Sequence, residues 1–182
     1  MKLIQQYDET VVLWVREYLS CPLLDVVMKA ISFLGNHGML WIILTILFFI
    51  IGKKEKRNWR NWAVVLGGSL ALSACITNIF LKPFIARIRP YDKLYLDIIV
   101  PALSDFSFPS GHTTAAFASA VVIWNMDKKW GNVIFLFAAV MAFSRIYLSV
   151  HYPTDVIVGA LVGSLSAGVI LYIAKKTKII VK

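Results

Sequence analysis

Two stretches of the chain, Ala63 to Leu81 and Val156 to Ala174, carry no charged residue over a length that matches the thickness of a bilayer. At ~1.5 Å of rise per residue, about 20 apolar residues cross a hydrocarbon core ~30 Å thick. A backbone in that medium must satisfy its own hydrogen bonds, and a helix does so locally. Met39 to Gly52, Gly111 to Met126 and Trp130 to Ser144 are also uncharged, but shorter. Their ends run into polar segments, so their helices are expected to extend beyond the apolar part. Charged residues make up 16% of the chain, against roughly a quarter in a soluble domain.

The first 35 residues follow another pattern. Ile4, Tyr7, Val11, Trp14, Val15 and Tyr18 share one helical face, and Gln5, Asp8, Glu9, Arg16 and Glu17 share the opposite one. This predicts an amphipathic helix lying at the membrane interface. The acidic residues also leave no apolar core for a cleavable signal peptide. Pro22 suits the first turn of a new helix, and Gly35-Asn36-His37-Gly38 reads as a turn. Cys21 and Cys75 read as small buried hydrophobes with no disulfide framework.

The expected fold is therefore all-α: a polytopic membrane helical bundle of six transmembrane helices if Pro22 to Leu34 spans, or five if it does not, with an N-terminal amphipathic helix. One membrane domain covers residues 1–182, with the interfacial helix at 1–20, the transmembrane core at 22–174 and a basic cytoplasmic tail at 175–182. The net charge of +9 is concentrated in Lys53-Lys54-Glu55-Lys56-Arg57, Lys128-Lys129 and Lys175-Lys176-Thr177-Lys178. These clusters each follow an apolar run. They are a topology signal, not a nucleic-acid footprint, and place their loops and both termini in the cytoplasm. The protein is expected in the plasma membrane, with Lys82 to Ser110 and Leu148 to Asp155 facing outward. Trp41, Trp59, Trp62, Trp124 and Trp130 lie near span ends and read as interface belts.

The outward segments break the charge rule, because they gather Lys82, Arg87, Arg89 and Lys93. Arg87 and Lys93 read as snorkelling anchors and His37 as a solvated loop histidine. The remaining polar residues form a set that anchoring does not explain. Pro153 opens a helix, so Asp155 falls near its third position and can reach back toward His151. A carboxylate on one imidazole nitrogen fixes the tautomer and frees the other nitrogen to attack. Ser110 is a good N-cap and Gly111 permits close backbone approach, so the helix start offers an anion site. His112, in its first turn, can protonate a leaving group. Lys82, Arg89 and Arg145 supply the charge neutralisation that phosphoryl transfer needs. Asp92, Asp97 and Asp105 are scattered without ligand-like spacing, so no metal is expected.

In these residues the chain resembles the type 2 phosphatidic acid phosphatase family, the membrane relatives of vanadium haloperoxidases. The family pattern is Lys, six residues, Arg-Pro; then Pro-Ser-Gly-His; then Ser-Arg, five residues, His, three residues, Asp. Here it is Lys82…Arg89-Pro90, Pro109-Ser110-Gly111-His112 and Ser144-Arg145…His151…Asp155, with every position matched in order. The resemblance implies a six-helix core, no metal or other cofactor, and a phosphohistidine formed on His151. It implies that Asp155 orients His151, and that His112 protonates the leaving oxygen and then activates water. Lys82, Arg89, Ser110, Gly111 and Arg145 would bind the phosphate.

The substrate expected from these features is a lipid phosphate in the bilayer. An outward site favours undecaprenyl diphosphate, a carrier lipid released outside. Members resembling dedicated polyprenyl diphosphatases often carry Asp where this chain has Gly111, which weighs toward phosphatidylglycerophosphate or phosphatidate instead. Tyr91 to Phe108 is expected to shape substrate access, with Tyr91, Tyr95, Phe106 and Phe108 facing lipid. A protein that binds lipid phosphate without turnover is the rival from another class, and it would not need His112 or the His151–Asp155 pair. The oligomeric state is not encoded in any pattern found.

Overall fold

The computed structural model describes residues 2–52 and 58–180. The basic cluster Lys53 to Arg57 lies outside the described residues. All regular elements among the described residues are helical: α1 (Lys2–Leu19), α2 (Pro22–Leu34), a 3-10 turn (Asn36–Gly38), α3 (Met39–Ile51), α4 (Trp59–Ala74), a π-helical stretch (Cys75–Leu81), α5 (Lys82–Ile85), α6 (Pro90–Lys93), α7 (Gly111–Met126), α8 (Lys128–Tyr147) and α9 (Pro153–Lys176). The local signals set the helix starts as expected. Pro22, Pro90 and Pro153 each occupy a first turn, where a missing N–H costs nothing.

Helix α7 is the centre of the bundle and packs against α4, α8 and α9. Its contact with α9 depends on small residues. A Cβ at Gly163 would lie 2.2 Å from the Thr114 carbonyl oxygen, and one at Gly159 would lie 2.8 Å from that of Ser110. Glycines four residues apart let two helix backbones approach where lipid gives no hydrophobic drive for association. Val65, Leu66, Ala118, Val122, Ala167 and Leu171 fill the core along these helices. Outside it, Leu136, Leu161 and Leu165 are exposed. Exposed apolar side chains in this density suit a lipid-facing surface.

Three helical segments among the described residues are long and apolar enough to cross a membrane: Trp59–Lys93, Lys128–Tyr147 and Pro153–Lys176. A fourth is added if Pro22–Leu34 and Asn36–Ile51, bent by 43° at their junction, count as one.

The placement of the two ends departs from expectation. Asp8 of α1 bonds Thr154 and Arg87, and Arg16 donates to the Asp97 carbonyl. Val15 packs with Tyr91, Leu148 and Val150. Helix α1 thus lies over the bundle end that carries the loops after α5 and α8. At the other end, Asn61 donates to the Ile179 carbonyl and Ile180 enters the core. The described chain ends therefore sit at opposite ends of the bundle, not together. An amphipathic pattern predicts a surface helix but not which surface it covers.

Two residue readings also change. Trp41 is buried in the core, edge-on to Phe137 at 5.9 Å, and is no part of an interface belt. Cys21 is exposed and not a buried hydrophobe.

Candidate active site

The three polar segments meet at one end of the bundle, spliced by backbone hydrogen bonds. Ser107 N donates to Arg87 O at 2.9 Å, Ser110 N to Asp155 O at 3.0 Å, and His151 N to Arg145 O at 3.1 Å. A cavity of about 1130 Å³ opens here and continues between α3 and α4. Lys82, Arg89, Gly111, His112, Arg145 and His151 line its polar end, while Ile42, Ile46, Leu70 and Ala71 line its apolar reach. A site with a charged end and an apolar groove suits an amphiphile with an anionic head.

Each wall has a local origin. The π-helical stretch Cys75–Leu81 leads directly into Lys82, whose side chain is buried on the cavity. Such widened turns are rare and tend to occur at functional sites. Ser110 caps α7, accepting from Thr113 N at 3.5 Å and from Thr113 Oγ1 at 3.0 Å. The first turn of α7 therefore presents Gly111 and His112 at a helix N-terminus. A Cβ at Gly111 would meet nothing within 4 Å, so the space beside it is open to a ligand. Gly35 matters for the opposite reason: a Cβ there would come within 2.6 Å of the His112 ring. Its absence lets the turn after α2 close on His112, where Asn36 Oδ1 lies 3.1 Å from Nε2.

His151 is buried between two kinds of partner. Arg89 Nη1 lies 3.2 Å from Nε2 and also donates to Val150 O at 2.7 Å. A donor facing Nε2 leaves a lone pair there, which puts the imidazole proton on Nδ1. On the Nδ1 side, Asp155 Oδ2 is 3.6 Å away and Ser107 Oγ 3.5 Å. The carboxylate contact is longer than a hydrogen bond. Burial pushes the imidazole pKa down to about 3; Asp155 pulls it upward, and the charges of Arg89 and Arg145 press it down further. His151 is therefore held neutral, with Nε2 turned toward Arg89.

Asp155 reaches back over the start of α9 as anticipated, but its main partner there is Tyr152 N at 2.9 Å. Ser107 Oγ donates to the same carboxylate oxygen at 2.5 Å. The other oxygen accepts from Arg87 Nη1 at 2.5 Å. This overturns the reading of Arg87 as a snorkelling anchor: its side chain is half-buried, stacked on Tyr152 at 3.9 Å and bonded to Asp8 as well. Lys93 pairs with Glu9 at 2.7 Å on the surface.

The three cations differ. Lys82 and Arg89 both pair with Asp105, which was not expected near the site. Burial pushes the Asp105 carboxyl upward, but Lys82 and Arg89 outweigh it and bring its pKa down to about 2. Arg145 is 3% exposed and donates to Ser32 Oγ, yet its Nε has no partner, and no carboxylate pairs with it among the described residues. A buried unpaired charge is costly, by several kcal/mol. An anion in the cavity would relieve that cost.

Tyr91 is another departure. It is buried, and its hydroxyl bonds both the amide and the carbonyl of Leu103 at 3.0 Å, bracing the loop from within. Tyr95 and Phe106 are exposed, and Phe108 is half-buried. Ser32, Asn36, Asp105 and Ser107 escaped the sequence reading. For Asp105 and Ser107 the available signal was closeness to Pro109-Ser110-Gly111-His112; Ser32 and Asn36 carry none. Among the described residues, no three His, Cys, Asp or Glu side chains gather in a group that could hold a metal ion.

The chain is similar to known proteins. Residues 62–179 match the PAP2 superfamily. Decaprenylphosphoryl-5-phosphoribose phosphatase of Mycobacterium tuberculosis is 33% identical over 137 residues, covering 75% of this chain and 72% of its own. Undecaprenyl-diphosphatase BcrC of Bacillus subtilis is 30% identical over 133 residues, covering 72% and 66%. The crystal structure of Aquifex aeolicus LpxE superposes with a TM-score of 0.77 at 30% identity, covering 91% of this chain and 95% of that one.

Proposed function

The chain belongs to the PAP2 superfamily, and from that membership we propose that it is a metal-independent membrane lipid phosphatase acting through a phosphohistidine on His151. The observation that carries this reading is the cavity itself. A neutral histidine, a second histidine and three buried cations surround it, and one of those cations, Arg145, has an unsatisfied donor.

The phosphate of the lipid sits among Lys82, Arg89, Arg145 and the first amides of α7, with Ser110 and Gly111 at its edge. His151 Nε2 attacks phosphorus in line, and Asp155 steadies the proton on Nδ1. The phosphorus–oxygen bond to the leaving group breaks, and that oxygen takes a proton from His112. Water then loses a proton to His112 as it attacks the phosphohistidine, which frees inorganic phosphate and restores His151. The chain's own cations neutralise the equatorial oxygens, the task a metal performs elsewhere.

Residues 1–182 act as a single membrane domain in this proposal, with α1 at the interface and the basic tail in the cytoplasm. Helices α3, α4, α7, α8 and α9 cross the bilayer, five spans instead of six. The site faces outward, because Lys128, Lys129, Lys175 and Lys176 lie at the opposite end. The N-terminus then lies outside and the C-terminus inside.

The preferred substrate is undecaprenyl diphosphate. The apolar groove between α3 and α4 and the polyprenyl substrates named for two relatives support it. Gly111, at a position where members resembling dedicated polyprenyl diphosphatases often carry Asp, favours a second reading, a phosphatidylglycerophosphate or phosphatidate phosphatase. Phosphate release from undecaprenyl diphosphate and from phosphatidylglycerophosphate, in detergent with excess EDTA, tests both. Release by the wild type that vanishes in His151→Ala supports the mechanism, and the faster lipid sets the substrate. Inertness toward both lipids sinks the proposal.

A further inference from the structure

Arg87 lies outside the phosphate-binding set, yet all its terminal donors are used inside the protein. Nη1 donates to Asp155 Oδ1 at 2.5 Å and to Thr154 Oγ1 at 2.8 Å. Nη2 donates to Asp8 Oδ2 at 2.6 Å and to Gln5 Oε1 at 2.7 Å. Asp8 is fully buried. It also accepts from the Thr154 amide at 3.0 Å and from the Thr154 hydroxyl. Two carboxylates thus share one guanidinium: one from α1, the other beside His151.

Elementary electrostatics makes this arrangement consequential. Arg87 without Asp8 would be drawn wholly to Asp155. Asp155 without Arg87 would keep the bonds from Tyr152 N and Ser107 Oγ to Oδ2 but lose the cation on Oδ1, which leaves a buried anion less compensated and less firmly held. A planar fork that bonds two acceptors fixes the angle between them. Asp8 also lies far outside residues 62–179, the part of the chain that carries the superfamily match.

We propose that Arg87 and Asp8 are positioning residues for the reaction: Arg87 holds Asp155 in the pose that orients His151, and Asp8 brings the N-terminal helix into the site by holding Arg87. This rests on the assignment of His151 and Asp155 made above. Neither residue touches the substrate; both act through Asp155.

The charge balance around His151 supplies a readout that a purely structural role would not move. The groups facing it are Arg89 at 3.2 Å, Asp155 at 3.6 Å, Lys82, Arg145 and His112 on the same cavity, and Asp105 by way of Arg89. Arg87→Gln leaves Asp155 less compensated, which favours a protonated His151. The acid limb of kcat/KM then moves to higher pH, by on the order of one unit. Asp8→Asn leaves Arg87 more fully on Asp155 and moves the limb the other way. Removing both charges together brings it back toward the wild type.

The experiment is the pH profile of phosphate release from undecaprenyl diphosphate, in detergent with EDTA, for the wild type, Arg87→Gln, Asp8→Asn and the double variant. Opposite shifts in the single variants and recovery in the double establish the coupling. Limbs that stay at the wild-type position, with losses that simply add, overturn it. If Arg87→Gln does not fold, the isosteric Asp8→Asn decides by its downward shift or the lack of one. Wild-type release that His151→Ala abolishes, with unmoved limbs, refutes this inference alone. A wild type inert toward lipid phosphates removes the mechanism and the inference together.

Discussion

Asp105 holds Arg89 from two directions: its carboxylate accepts from Nη2 at 2.6 Å and its carbonyl from Nε at 2.9 Å. The same carboxylate also takes Lys82. Two of the three cations proposed to bind phosphate are thus already paired with an anion of the chain. Phosphate must compete with that carboxylate for the same donors. Asp105→Asn is expected to tighten competitive inhibition by inorganic phosphate about tenfold or more, since it removes a like charge at close range. A Ki measured in both proteins checks this, and weaker inhibition in the variant would show that Asp105 orients the cations more than it opposes the anion.

The two histidines should fail differently. His151→Ala is expected to abolish turnover, because it removes the proposed nucleophile. His112→Ala should slow it by ~10²–10⁴, the usual worth of a general acid. A rapid quench with radiolabelled substrate should trap a phosphoenzyme that is labile in acid and stable in alkali. The reverse stability would place the phosphate on Ser110.

The pH profile has a definite sign. The His151 pKa is brought down to about 3 by burial, with Arg89 and Arg145 adding to the effect, against ~6.5 for a free histidine. The nucleophile therefore stays neutral as pH falls through 6.5, and the acid limb of kcat/KM is expected below about pH 5. Stability follows the same group. Between 6.5 and about 3 the unfolded state binds a proton that the folded state refuses. Lowering pH through that window should steadily destabilise the protein, as a series of melting temperatures in detergent will record. A limb near 6.5 would mean that His151 is solvated.

Close approach of α7 and α9 is testable by single methyl groups. Gly163→Ala places a Cβ 2.2 Å from the Thr114 carbonyl and 3.0 Å from the Ala118 amide, so backbone must shift. The cost should be about 1–3 kcal/mol, as for overpacked cores. Gly168→Ala lies on the same helix with nothing within 4 Å and should be neutral or slightly stabilising. Equal melting temperatures for the two variants would mean that the helices can separate freely.

Much of this protein could be read along the chain, because the responsible forces are local. Hydrophobic run length set the long helices; Pro22, Pro153 and Ser110 marked where helices begin; three short motifs located the polar end of the cavity. What tertiary structure alone decided are contacts between residues far apart in sequence: Arg87 with Asp8 across 79 positions, and His112 with Asn36 across 76. An arginine near a span end has the same sequence signature whether it snorkels to water or joins buried carboxylates. Asp105 reads like Asp92 and Asp97 until the loop folds back on Lys82 and Arg89. Amphipathicity predicted that α1 lies on a surface, but only packing against Leu148 and Val150 chose the end that carries the site. Helix length and capping depend on neighbours within a few residues. Charge pairing and burial depend on which segments the fold brings together, and no local pattern records that.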